Sequence, residues 1–347
     1  MIGNRARAEI AESKRYAELD EIDWDGKEDC QLDYEWQRTS RPACNSMHEF
    51  DLTTPSLDTG GSKYKFLTHG FYRDVLSAFD QVGEPFVFKP MRRKHRFTYR
   101  NFDRMRRDAV IMDRLTAHKY ILNIYGFCGT SALFEFADGG DIDSTLWPDG
   151  ETIANLTQLE KLHIATQASM ALASVHNVDK EGRPSIAHTD ISTGQFIKAN
   201  GIYKLNDFNR ARFIHYSRST GKACPFYVGM NAGSNRSPEE YAYEGESEKV
   251  DVYSLGNLFF TILQGEWPFE NEASDDAKAK VLNGTRPAIY GDLWHSTDPV
   301  NVALKEAMIL CHTHDPTERP SARYIETFFR RKMNEIDPGR LEEWGDA

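Results

Sequence analysis

The chain has 347 residues, 40% hydrophobic, 12% aromatic and 27% charged, a globular composition with enough apolar material for two lobes. Its net charge of -11 repels duplex nucleic acid and anionic membrane surfaces and leaves room for a bound cation. No apolar run approaches the roughly 18 residues of a membrane span, and residues 1–20 are too charged for a secretory leader; this favours a soluble, cytoplasmic chain over a secretory-pathway or membrane-tethered one.

Residues 1–19 read as a solvated, charged helix. Residues 20–60 gather Asp20, Glu21, Asp23, Asp25, Glu28 and Asp29 and read as an irregular extension packed on a domain. This extension holds Cys30 and Cys44, while Cys128, Cys224 and Cys311 are scattered with no CxxC pair. A Cys30–Cys44 disulfide would need an oxidising compartment, so two reduced thiols are the expected state. His48-Glu49 reads as part of a docking segment rather than a metal pair.

From about residue 64 the character changes. Tyr64–Phe71, Val75–Phe79 and Pro85–Pro90 have strand-type aromatic and β-branched content, the last ending on Lys89. A basic helix spans Asn101–Leu115, with Phe102, Met105, Ala109, Met112 and Leu115 near three- and four-residue spacing. Strands at Ile121–Phe127 and Ala132–Phe136 precede a break at Asp138-Gly-Gly-Asp. Leu159, Leu162, Ala165, Ala168, Leu172 and Val175 then mark a helix running to His176. Next comes a hairpin, Gln195-Phe-Ile and Ile202-Tyr-Lys-Leu205 around Asn200-Gly201, with Asp190 before it and Asp207 after it. Two carboxylates at a hairpin rim suit the holding of a divalent cation and the positioning of a proton. A helix from about Val250 and helical runs near 275–283, 299–311 and 320–333 complete the pattern, strand-rich first and helical second.

In combination these motifs resemble the protein kinase superfamily over about residues 64–333. Phe-Val-Phe-Lys89 resembles Val-Ala-Ile-Lys, and Asp108 stands at the lysine-pairing glutamate. Phe134, Glu135, Phe136 and Ala137 stand at the gatekeeper and hinge, His188-Thr-Asp190 at the catalytic loop and Asp207-Phe-Asn209 at Asp-Phe-Gly. Ser237-Pro-Glu239, Asp251-Val-Tyr-Ser-Leu-Gly256 and Asp315-Pro-Thr-Glu-Arg319-Pro320 resemble the later motifs.

The resemblance implies an α+β bilobal fold: an antiparallel-sheet lobe with one main helix at 61–137, a larger helical lobe at 138–335, an extension at 1–60 and a tail at 336–347. It implies transfer of the γ-phosphoryl group of ATP to a protein hydroxyl, with Mg2+ or Mn2+. Lys89 holds the α and β phosphates and Asp108 pairs with it. Gly70 and Val75 belong to the phosphate loop, the segment 134–137 meets adenine, Asp207 and Gln195 hold the metal, and Asp190 is the base. Glu239 and Arg319 form a buried ion pair. The expected partner is a protein substrate, with no nucleic acid; the oligomeric state is not set.

The departures define the alternatives. Only Gly70 remains of three loop glycines, Asp108 is one methylene short, Gln195 replaces asparagine, Asn209 replaces glycine, Thr189 replaces the arginine before the base, and Ser192 replaces the phosphate-contacting lysine of serine/threonine kinases. Loss of that arginine predicts activity independent of activation-segment phosphorylation. The alternatives are a pseudokinase scaffold, or a kinase of this fold acting on a sugar or other small molecule.

Overall fold

The computed structural model describes residues 29–39, 44, 47, 64–80, 83–229 and 231–346; the expected helix of 1–19, most of the acidic run and His48-Glu49 lie outside them. The first elements are β1 (Cys30–Leu32) and the short helix α1 (Glu35–Thr39). Strands β2 (Lys65–His69), β3 (Asp74–Phe79), β4 (Pro85–Lys89), β5 (Ile124–Cys128) and β6 (Ser131–Glu135) form an antiparallel sheet in the order β2-β3-β4-β6-β5. The strand expected over Tyr64–Phe71 stops at His69, because Gly70 N donates to Arg73 O (2.9 Å) and the chain turns back.

Helix α2 (Tyr99–Arg114) lies between β4 and β5, and starts earlier than its apolar spacing suggests because Thr98 caps it through Asn101 N. Its buried face is Met105, Ala109, Ile111 and Met112, with one carboxylate, Asp108, set among them. Farther on, β8 (Phe196–Ala199) and β9 (Ile202–Leu205), following β7 (Ile186–Ala187), pair across the turn at Asn200 (φ 52°) and Gly201 (φ 78°). Two successive left-handed residues are what a tight hairpin requires, and Asn-Gly supplies both. Leu205 N donates to Tyr120 O (2.9 Å) and Leu122 N to Leu205 O (3.0 Å), which ties this hairpin to the sheet-bearing unit.

The chain divides into two compact units. One comprises Tyr34–Ile142 and Gly194–Ala211, so the hairpin and Asp207 belong with the five-stranded sheet; the other comprises the described parts of Met1–Asp33, Asp143–Thr193 and Arg212–Ala347. The second is helical. It contains α3 (Ile142–Leu146) from its second residue onward, α4 (Gln158–His176), α5 (Pro238–Ala242), α6 (Lys249–Gln264), α7 (Ser274–Leu282), α8 (Pro299–Cys311), α9 (Ala322–Ile336) and α10 (Arg340–Glu343). Helix α4 begins with a capping box, Thr157 with Glu160, and is enclosed over most of its surface. Helices α6 and α8 meet so closely that a Cβ on Gly256 would lie 2.7 Å from Cys311 Cβ, which accounts for glycine there. Two short ribbons complete this unit: β7 with β10 (Arg212–Phe213), and β1 with β11 (His215–Ser217). The α+β, bilobal fold class expected from the sequence is the one observed.

The cysteines differ from expectation. Cys30 is bonded to Cys224 and Cys44 to Cys128, so neither two reduced thiols nor a Cys30–Cys44 bridge is present; Cys311 is free and buried. The reason is tertiary. Pairing of β1 with β11 brings Cys30 within 6.2 Å (Cα to Cα) of Cys224, and Cys44 comes within 4.7 Å of Cys128 at the end of β5. Separations of 194 and 84 residues conceal both contacts in the sequence.

Candidate active site

In the sheet-bearing unit, Lys89 ends β4 and projects its ammonium over the face of Phe134, 4.6 Å from the ring centroid. Nζ donates to Asn206 Oδ1 at 3.4 Å. Burial is the largest influence on Lys89 and pushes its pKa down, with Arg73 adding to the drop; the charges of Asp207 and Asp108 oppose it. Asn206 is itself held by Gln195, whose backbone carbonyl accepts from Asn206 N (3.0 Å) and Nδ2 (2.7 Å). Asp207 follows in left-handed backbone (φ 61°, ψ 68°), an unusual state for a residue with a side chain, and Asn209 Nδ2 donates to its carboxylate.

The expected Lys89–Asp108 pair is corrected by the structure. Asp108 Oδ2 is 2.5 Å from Arg73 Nη1, and Oδ1 accepts from Phe208 N at 2.8 Å. The short side chain stays at the helix surface, where an arginine from the β2–β3 turn and the amide after Asp207 saturate it. Arg73 is 8% exposed, yet its Nε and Nη2 have no hydrogen-bond partner among the described residues. A buried, unpaired N–H of this kind costs about 1–3 kcal/mol.

In the helical unit, Asp190 sits on a loop anchored by Asp251 at the start of α6. The Asp251 carboxylate accepts from His188 N (2.7 Å), Thr189 N (2.7 Å) and His176 Nε2 (2.9 Å), and is fully buried. These bonds hold Thr189 at φ 60°, strained backbone for a β-branched residue immediately before the acid. Arg236 Nη2 donates to Asp190 Oδ1 (2.8 Å) while Nη1 donates to Thr189 O (3.0 Å). The cation missing at Thr189 and Ser192 is therefore supplied from the segment before α5.

That segment is fastened along its length. Asp29 accepts from Ser217 Oγ (2.6 Å), Ser219 Oγ (3.0 Å) and Ser219 N (2.9 Å), and these bonds, led by Ser217, lower its pKa. Arg218 Nε donates to Gln31 Oε1 (3.1 Å), Tyr216 OH to Pro184 O (2.8 Å), and Cys30–Cys224 closes the ribbon. Beyond it, Arg319 meets Glu239 through two bonds, Nη1–Oε1 at 2.6 Å and Nη2–Oε2 at 3.1 Å, with side-chain exposures of 0% and 4%.

Residues 62–327 match the protein kinase domain family. The chain belongs to the protein kinases. It is similar to MDIS1-interacting receptor like kinase 2 of Arabidopsis thaliana, 26% identical over 223 residues covering 61% of this chain and 20% of that one. It is also similar to human mitogen-activated protein kinase kinase kinase 7, 24% identical over 214 residues covering 60% and 32% respectively. The chain thus spans only a fifth to a third of the length of these relatives.

Within this kinase domain, Phe134 (1% exposed) and Glu135 (7%) end β6. The Glu135 carboxylate accepts from Lys204 Nζ (2.7 and 2.9 Å) and Asn123 Nδ2 (3.0 Å), so its side chain is spent on holding the hairpin; Phe136 and Ala137 are half-buried beyond it. Gly70 lies in the exposed turn and Val75 in β3, half-buried. Counted back from Val75, the family's Gly-x-Gly-x-x-Gly-x-Val pattern places its glycines at Thr68, Gly70 and Arg73. Sequence reading missed Arg73, Asn206, Arg236 and Asp29. The signals were present, an arginine at a glycine position and another abutting Ser237-Pro-Glu239, but their partners lie 35 and 46 residues away in sequence.

Proposed function

We propose that this chain is an ATP-dependent protein kinase that moves the γ-phosphoryl group of ATP to a protein hydroxyl. The observation that carries the reading is Lys89, a cation disfavoured by burial, backed by the charges of Asp207 and Asp108, with a single long hydrogen bond among the described residues. Such a cation fits an anion, and phosphate oxygens are the anion a kinase domain receives. The nucleotide supplies the phosphoryl group, and its Mg2+ or Mn2+ neutralises the charge that develops on it. Lys89 would hold the α and β phosphates, Asp207 and the Gln195 amide oxygen the cation, and the main chain of 134–137 the adenine. Asp190, oriented by Arg236, takes the proton of the acceptor hydroxyl.

The test is label transfer from ATP to a mixed protein substrate. Asp190→Asn is expected to lower the rate by about 10²–10⁴-fold, and Asp207→Ala to remove it. A second reading, a nucleotide-binding pseudokinase, is favoured by the diversion of Asp108 to Arg73. Stabilisation of the wild type by ATP with no transfer to any protein would decide for it.

Ser217 and Ser219 already donate to a carboxylate, so a phosphate on either would face Asp29 across a like charge. Replacing Ser217, Ser219, Thr220, Tyr216 and Tyr227 by non-phosphorylatable residues should leave at least half of the activity. Loss of activity in that variant, with its melting temperature intact, would refute phosphorylation-independence. The two disulfides support folding in an oxidising compartment, against the cytoplasmic setting that composition favoured.

A further inference from the structure

We infer that Arg73 is a phosphate-binding residue, replacing with its guanidinium the close backbone approach that a third glycine would allow in the loop between β2 and β3. The inference rests on the nucleotide-binding reading above and adds a ligand to it. Three observations meet at this residue. First, Arg73 takes the last glycine position of the loop, and only Gly70 survives of the three, so the close, unhindered approach of main chain to phosphate that glycine permits is lost at two positions. Second, the side chain does not lie on the surface as a turn arginine ordinarily does. It is 8% exposed, and Nη1 is clamped at 2.5 Å to Asp108 Oδ2, a carboxylate that is itself 1% exposed.

Third, that clamp leaves Nε and Nη2 buried with no partner among the described residues, beside the ring that also carries Lys89. Arg73 Cζ lies 5.8 Å and Lys89 Nζ 4.6 Å from the centroid of Phe134. The two cations are close enough for Arg73 to depress Lys89. Two positive groups held together, one with unpaired fork donors, are complementary to a polyphosphate, whose adjacent oxygens accept paired bonds. Asp108 then has a different task from the one implied by its position: it orients Arg73 and reaches Lys89 only through space.

The experiment is calorimetric titration of the full chain, disulfides intact, with ADP and Mg2+, adenosine, and pyrophosphate. Arg73→Lys keeps a cation for Asp108 and loses the fork. The double variant Arg73→Met with Asp108→Asn removes the cation without stranding a buried carboxylate, and the asparagine oxygen can still accept from Phe208 N. Both variants are expected to bind ADP about 10- to 100-fold more weakly, the worth of one or two charge-assisted hydrogen bonds, with adenosine affinity unchanged. Unaltered ADP affinity in both overturns the inference alone, as does a parallel loss of ADP and adenosine, which marks a purely structural arginine. Pyrophosphate bound as tightly as ADP, through Arg73, overturns the nucleotide assignment. A wild type that binds neither ADP nor adenosine overturns the kinase reading together with this one.

Discussion

Removing the Cys30–Cys224 bond is expected to destabilise the protein by about 5 kcal/mol, the loop-closure value for a link between residues so far apart; the bond spans 194 residues. Cys44–Cys128, spanning 84, carries slightly less by the same relation, about 4.5 kcal/mol. The first bond also has a local task. A ribbon of three-residue strands is too short to persist unaided, and β1 with β11 is reinforced by the disulfide, the Asp29 bonds, the Arg218 contacts and the Tyr216 OH–Pro184 O bond. Cys30→Ser with Cys224→Ser should therefore melt about 7 °C below the wild type and become sensitive to protease between His215 and Cys224. Identical melting with and without reductant, or recovery of Cys30 and Cys224 as free thiols from the native protein, would show that the ribbon does not depend on the bond.

Arg319→Ala is expected to cost about 3–5 kcal/mol, because it leaves the Glu239 carboxylate buried without its cation. Glu239 is 5% exposed. Arg319 does more than neutralise it: Nε donates to Thr313 O (2.9 Å), Nη1 to Lys249 O (2.7 Å) and Nη2 to His314 O (3.2 Å), and the guanidinium lies 5.0 Å from the Tyr253 ring centroid. Glu239→Gln keeps an acceptor and the shape, so it should cost less than Arg319→Ala. A double variant should not recover wild-type stability, since the three carbonyls lose their guanidinium donors whatever replaces Glu239. Urea titration of the three variants measures this order, and the pair should be nearly insensitive to salt because water and ions do not reach it. Equal midpoints for Arg319→Ala and the wild type would contradict the account.

Much of this architecture follows from local sequence. The short apolar runs of Pro85–Lys89 and Ser131–Glu135, the Asn200-Gly201 turn, the capping of Thr157 by Glu160, and the apolar spacing of α4 and α6 each specify an element through interactions within a few residues. The kinase motifs are legible for the same reason, since Asp190, Asp207, Glu239 and Arg319 stand in short, ordered strings. Their roles depend on where the strings meet.

What the sequence alone determined was the set of elements, their order, the family, and which side chains carry charge near the hairpin. What only the tertiary structure decided was pairing. Asp108 went to Arg73 rather than Lys89, Asp190 gained Arg236, Cys30 found Cys224, and Asp29 closed on Ser217 and Ser219. Each joins residues between 35 and 194 positions apart. A buried charge or thiol takes whichever partner the packed chain brings within reach, and that distance is set by the fold.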